Sequence, residues 1–359
     1  MSYILNEKLK KLKPYEVITE SYKIRLDANE SFLDPGKEFK NEIIDVVTDV
    51  PLNRYPDSSC IKLRKAFGTL YNVNPDLVVA GNGSDELISL IIGSFLKKGE
   101  KILTCNPDFS MYSVFADTFE KEMVSIQKSN DYIITPKDVI TGVKETNARA
   151  VIFSNPASPA SNVMRRQDII TIIENTEALV IVDEAYMDFS DQSVLDVAGK
   201  YNNLAVLKTC SKALGCAAIR LGFVVSSKEI IDALNSLRSP YNLNAITQAI
   251  GCLILSKPDY IKQSIIALAQ SRDYLYKGLV NLAEEGEIIK VYKSETNYIF
   301  IETDFASDIY QELLKRSILI RKLGNALRIT AGTKEENDIL IAAMQEILET
   351  IGTVHPVSL

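Results

Sequence analysis

From about residue 76 to 227, short apolar runs alternate with stretches whose apolar residues recur every three or four positions. The runs Leu77–Ala80, Ile102–Cys105, Ala150–Ser154, Leu179–Val182, Ala205–Leu207 and Leu221–Val225 predict strands. Several are apolar throughout, as strands covered on both faces are. Asp85–Leu96 and Arg166–Asn175 carry the helical period between them. Repeated strand–helix alternation predicts an α/β fold with a mostly parallel sheet wrapped by helices. Beyond Ser227 helical patterns dominate from Glu229 to Glu285, broken near Pro240 and Pro258. Short strand candidates follow at Ile288–Tyr292, Tyr298–Ile301 and Leu327–Thr330, then a helix opened by a Thr333–Glu336 capping box. The expected organisation is a large domain over 51–235 and a smaller α+β domain over 236–359, which the segment 1–50 joins.

A chain of 359 residues is long enough to need two domains. Apolar content of 46% with 24% charged residues is ordinary for a globular enzyme. A net charge of −7 argues against binding nucleic acid, and Lys8, Lys10, Lys11 and Lys13 read as a solvated helix face. The N-terminus lacks the features of a signal peptide, and no apolar run approaches membrane-spanning length. Cys60, Cys105, Cys210, Cys216 and Cys252 are scattered, as reduced thiols are, so a cytoplasmic protein without a metal site is expected. The only histidine, His355, stands four residues from the end of the chain. Ser-His-Asp and Cys-His catalysis and a histidine-rich metal site therefore lack a part. The chemistry must run on lysine, carboxylate, tyrosine or a cofactor.

In a parallel sheet, ligands sit beyond the carboxyl ends of the strands, where Asn155, Asp183 and Ser211–Lys212 fall. A lone loop lysine is usually solvated, but Lys212 follows a strand, lies among small residues, and has Asp183 at another strand end. A desolvated lysine forms imines and shuttles protons. Asp183 reads either as a helix cap or as the partner of a pyridine nitrogen, and Tyr186 either as core or as a ring-oxygen donor. Gly81–Glu86 follows a strand and opens a helix, so its backbone N–H groups can hold an anion, with Thr209, Ser211 and Arg220 as further donors. Position 86 is Glu, which breaks the dinucleotide fingerprint. Phe109 is either core or a ring stacked on the cofactor. Together these residues predict a pyridoxal phosphate site.

The chain resembles fold type I pyridoxal phosphate enzymes, specifically the class I/II aminotransferases near histidinol-phosphate aminotransferase. The likeness is carried over nearly the whole length by Lys13-Pro14-Tyr15, Leu26–Glu30, Asn53–Pro56, Gly81–Glu86, Asp183–Tyr186, Ser211-Lys212, Arg220–Gly222 and Leu327–Thr330. It implies Lys212 as the imine-forming lysine, Asp183 on the pyridine nitrogen, Phe109 stacked on the ring and Tyr186 on the ring oxygen. Ser84, Asp85, Ser211 and Arg220 match phosphate binders. Tyr55 matches a tyrosine that reaches the cofactor of the neighbouring subunit, which implies a homodimer. Arg328 matches the clamp on the substrate α-carboxylate, as its fork suits. Tyr15, Asn29 and Arg321 match positions near the substrate's distal group. Ser158 stands where the family carries an asparagine, leaving Tyr186 more of the ring-oxygen contact.

The resemblance implies a ping-pong aminotransferase of histidine biosynthesis, with histidinol phosphate and 2-oxoglutarate/glutamate as the pair. A lyase such as a threonine-phosphate decarboxylase, or an aromatic amino acid aminotransferase, shares the same cofactor residues. A degenerate binding protein and a nicotinamide enzyme are the remaining rivals.

Overall fold

The computed structural model describes residues 3–5, 10, 18, 20–286 and 289–354. Tyr15, the other residues of the Lys13-Pro14-Tyr15 motif, Lys8, Lys11 and His355 lie outside the described residues.

The chain forms strands β1 (Ile24–Leu26), β2 (Val78–Asn82), β3 (Lys101–Asn106), β4 (Glu122–Gln127), β5 (Ala150–Ser154), β6 (Leu179–Asp183), β7 (Leu204–Thr209), β8 (Leu221–Ser226), β9 (Lys290–Tyr292), β10 (Tyr298–Glu302), β11 (Ile318–Leu323) and β12 (Ala326–Thr330). A seven-stranded sheet runs β2-β8-β7-β6-β5-β3-β4, and a five-stranded sheet runs β1-β11-β12-β10-β9. In the larger sheet only β8 opposes its neighbours; the other pairings are parallel. β5 and β7 are buried along their whole length, which is why they read as continuous apolar runs.

Each strand expected between residues 76 and 227 is present, shifted by at most two residues at an end. β4 was not expected. It is the edge strand, its residues are half exposed, and it carries no apolar run. β1 is three residues long and pairs in parallel with β11, Ile24 against Ile318, a partnership no local pattern encodes. The Thr333 capping box is formed: Glu336 N donates to Thr333 Oγ1 (3.2 Å), and Thr333 N donates to Glu336 Oε2 (2.7 Å).

Separate apolar clusters cover the two faces of the large sheet. Another lies between the small sheet and the helices Pro258–Gly286, Ala306–Lys315 and Lys334–Val354. Leu243, Ile254, Leu255 and Ile261 belong to the large sheet's cluster, so a boundary at 235/236 does not follow the packing. We propose that the large unit runs on through the helix Ala245–Leu255. β1 joins the small sheet, whereas Phe39 and the helix Lys40–Thr48 pack against the large unit. No helix among the described residues is long and apolar enough to cross a membrane.

Candidate active site

A cavity of about 650 Å³ opens beyond the carboxyl ends of β2, β3, β5, β6 and β7, with the small sheet as its far wall. Lys212 lies past the end of β7, and its Nζ donates to the carbonyl of Ala28 (2.9 Å), which follows β1. The amine therefore stands where the two sheets meet, 6.0 Å from the centre of the Tyr186 ring.

Asp183 ends β6 and is 4% exposed. Its Oδ2 accepts from Tyr112 Oη (2.9 Å), and its Oδ1 accepts from Ala185 N (3.1 Å). Both partners are neutral, and burial pushes the carboxyl up to about 7. A carboxyl so placed lacks a cation, which a protonated ring nitrogen would supply.

Opposite it, the helix Gly83–Phe95 begins directly at the end of β2. Its first N–H groups have no intrahelical acceptor and face an anion naturally. Arg220 Nη2 meets Asp85 Oδ2 at 3.0 Å and Arg220 Nη1 meets Ser211 Oγ at 3.4 Å, with Thr209 Oγ1 donating to Ser211 Oγ (3.0 Å). Gly83 has φ +74°, and a Cβ there would come within 2.7 Å of Arg220 Nη2. A Cβ on Gly222 would sit 2.4 Å from Ser84 N. Both glycines keep this cradle open for backbone and guanidinium donors.

Tyr186 Oη accepts from Asn29 Nδ2 (2.7 Å), which leaves its own O–H to donate into the cavity. Phe109 lines the cavity and sits edge-on to Tyr112, with centroids 5.5 Å apart. Ser158 also lines it, its backbone N held by Ser154 Oγ (2.8 Å). Asn155, grouped with the site by its place at a strand end, instead bonds Met164 through Nδ2 to O (3.0 Å) and Oδ1 to N (2.8 Å). It staples its own loop and does not line the cavity.

On the small sheet, antiparallel pairing sets Phe300, Arg328 and Arg321 side by side, and all three line the cavity. Arg328 Nη2 donates to Asp27 O (3.0 Å), while its buried Nε has no partner. Arg328 lines the cavity, where a guanidinium suits a substrate carboxylate. Asn29 is 1% exposed and tied to Thr330 and Asn297, so it reaches the cavity mainly by orienting Tyr186. Tyr55 does not line the cavity within one chain; it is 80% exposed and stacks on Tyr241 at 4.5 Å.

Sequence reasoning missed Tyr112, although it lies one helical turn from Phe109 and holds Asp183. It also missed Asp108, a buried carboxylate that accepts from Ser154 Oγ and pairs with buried Lys128 Nζ at 3.8 Å. Lys128 follows the unexpected edge strand, so its nearness to Asp108 had no local signal.

An amine, a carboxyl in want of a cation, and an anion cradle share one cavity, and these residues fit pyridoxal 5′-phosphate.

A sequence profile of the family "Aminotransferase class I and II" matches residues 21–344. A relative named histidinol-phosphate aminotransferase, from Clostridium novyi (strain NT), is 39% identical over 339 residues, covering 93% of this chain and 94% of the relative. One of the same name from Clostridium kluyveri is 35% identical over 351 residues, covering 96% and 99%. The crystal structure of histidinol-phosphate aminotransferase from Sinorhizobium meliloti in complex with pyridoxal-5′-phosphate matches the fold with a TM-score of 0.87 at 20% identity, over 97% of this chain and 98% of that one.

Proposed function

Because this chain belongs to the aminotransferase class I and II family, we propose that it transfers the amino group of histidinol phosphate to 2-oxoglutarate, as a homodimer in the cytoplasm. It is a transaminase dependent on pyridoxal 5′-phosphate. One observation carries the chemistry: the amine of Lys212 and the carboxyl of Asp183 line the same cavity. The near full-length identity to relatives named histidinol-phosphate aminotransferase supports the substrate pair.

When bound, the cofactor supplies a ring that draws electrons from the substrate α-carbon. Lys212 Nζ would hold it and, when free, would serve as the group that moves a proton in the cavity. Asp183 would supply the carboxylate that holds a protonated ring nitrogen, and Tyr112 Oη keeps that carboxyl aimed. Arg220, Ser211, Thr209 and the first-turn backbone N–H groups of Ser84 and Asp85 would hold the phosphate end, with the Asp85 carboxylate fixing Arg220. Tyr186 donates toward the ring oxygen, taking the larger share because Ser158 is short. Arg328 orients the substrate's carboxylate or, for a donor without one, the group in its place.

The exposed Tyr55–Tyr241 stack supports a partner subunit over that face, with Tyr55 reaching the partner's cofactor. Free cysteines throughout the described residues support the cytoplasmic setting. Half-reactions test the reading. Histidinol phosphate should shift the visible absorption of the loaded protein, and 2-oxoglutarate should restore it. Release of carbon dioxide from threonine phosphate, with no 2-oxoglutarate consumed, would overturn it.

A further inference from the structure

We propose that Tyr132, latched to the small sheet by Glu302, forms the end wall of the donor's side-chain pocket and favours donors that carry a flat ring. This rests on the transaminase reading and assigns a specificity residue to the same site.

The register of the small sheet places two rows of side chains on the cavity face. The first row is Phe300, Arg328 and Arg321. The second, about 7 Å further along the strands, is Glu302, Ala326 and Leu323. A substrate anchored at the arginine row extends its remaining atoms toward the second row, which is apolar apart from Glu302.

Tyr132 closes this end. It comes from the other sheet, in the tight turn after β4 where Tyr132 N donates to Ser129 O (2.8 Å) and Ser129 N to Ile133 O (2.9 Å). Its ring stands edge-on to Phe300 at 5.2 Å and to Tyr292 at 5.4 Å. Glu302 accepts hydrogen bonds from both Tyr132 Oη and Tyr292 Oη. Asn162 Nδ2 holds the carbonyls of Asp131 and Tyr132 at 3.0 Å each, and Lys290 pairs with Asp131 at 3.0 Å.

The backbone of Tyr132 has φ +60°. A bulky residue keeps this left-handed conformation only where its surroundings over-determine it, and such outliers gather at ligand clamps. Here the bonds from Asn162, Glu302 and Lys290 to this turn do the determining. Tyr132 and Phe300 line the cavity with aromatic surface that a planar ring can fill by edge-to-face contact. The flexible chain of glutamate leaves the same surface uncovered.

The test compares kcat/KM for two ring-bearing donors, histidinol phosphate and phenylalanine, with that for glutamate. In Tyr132→Ala the ratio of ring donor to glutamate should fall about tenfold or more, the scale at which one apolar contact discriminates. Tyr132→Phe keeps the ring and drops the latch, so its ratio should lie between wild type and Tyr132→Ala. Calorimetric binding of the ring donor to the loaded protein should weaken in the same order. An unchanged ratio, or an equal loss for all donors, overturns the proposal. Wild type that accepts phenylalanine but not histidinol phosphate refutes only the substrate pair, and the Tyr132 ratio is then read on phenylalanine.

Discussion

Replacing Asp183 by Asn should shift the stability of the cofactor-free protein relative to wild type increasingly in the variant's favour as pH rises. Asp183 is 4% exposed, and its carboxyl sits at about 7 in the folded chain against 3.8 in the open chain, chiefly because burial disfavours the charge. The folded state therefore holds a proton that the unfolded state has released between about pH 4 and 7. Stability from this group is present in full at lower pH and is lost as pH rises through the folded value. Between pH 5 and pH 8 the folded carboxyl resists ionisation over roughly 2 pH units, worth about 3 kcal/mol at 1.36 kcal/mol per unit. An amide at position 183 keeps the acceptor for Tyr112 Oη, gives up the one for Ala185 N at a cost that does not depend on pH, and cannot ionise. Urea unfolding of the cofactor-free wild type and Asp183→Asn at both pH values measures the effect, and other titrating groups cancel in the double difference. The variant should gain about 3 kcal/mol more over wild type at pH 8 than at pH 5. An equal gap at the two pH values would show that the buried carboxylate is already charged and satisfied, and would refute the argument that it waits for a cation.

Lys212→Ala should keep the fold by circular dichroism while losing transamination and the visible absorption of covalently held cofactor; retained turnover would sink the assignment. Arg328→Lys replaces a fork by a point charge and should lower kcat/KM for carboxylate-bearing substrates about a hundredfold, roughly 3 kcal/mol, read in glutamate half-reactions. If Tyr55 reaches a partner's cofactor in the proposed homodimer, Tyr55→Phe should weaken cofactor affinity about tenfold, as loss of one hydrogen bond to a charged group implies, without changing the oligomeric state. Equilibrium dialysis and sedimentation check both parts, and unchanged affinity would count against the cross-subunit contact.

Much of the site was legible because its chemistry lies at strand ends, and strand ends are where apolar runs stop. Asp183, Ser211 and Lys212 could be grouped on that basis alone. The same rule misplaced Asn155, whose amide spends its hydrogen bonds on Met164. Position at a strand end says where a residue is, not which way its side chain turns. Tyr112 is a case of the opposite kind, in that its helical spacing suited core packing and only its hydroxyl, which donates to Asp183, gives it a role.

Local sequence determined the large sheet, its mostly parallel order and the strand-end positions of the residues proposed to hold the cofactor, because burial on both faces and turn chemistry act over a few neighbouring residues. Tertiary structure alone decided which distant segments meet: β1 with β11, Lys212 with Ala28, Asn29 with Tyr186, and Tyr132 with Glu302. These partners stand from 157 positions apart, for Asn29 and Tyr186, to 294, for Ile24 and Ile318. Contacts of that range are set by how the two sheets pack, which no periodicity in the chain can encode.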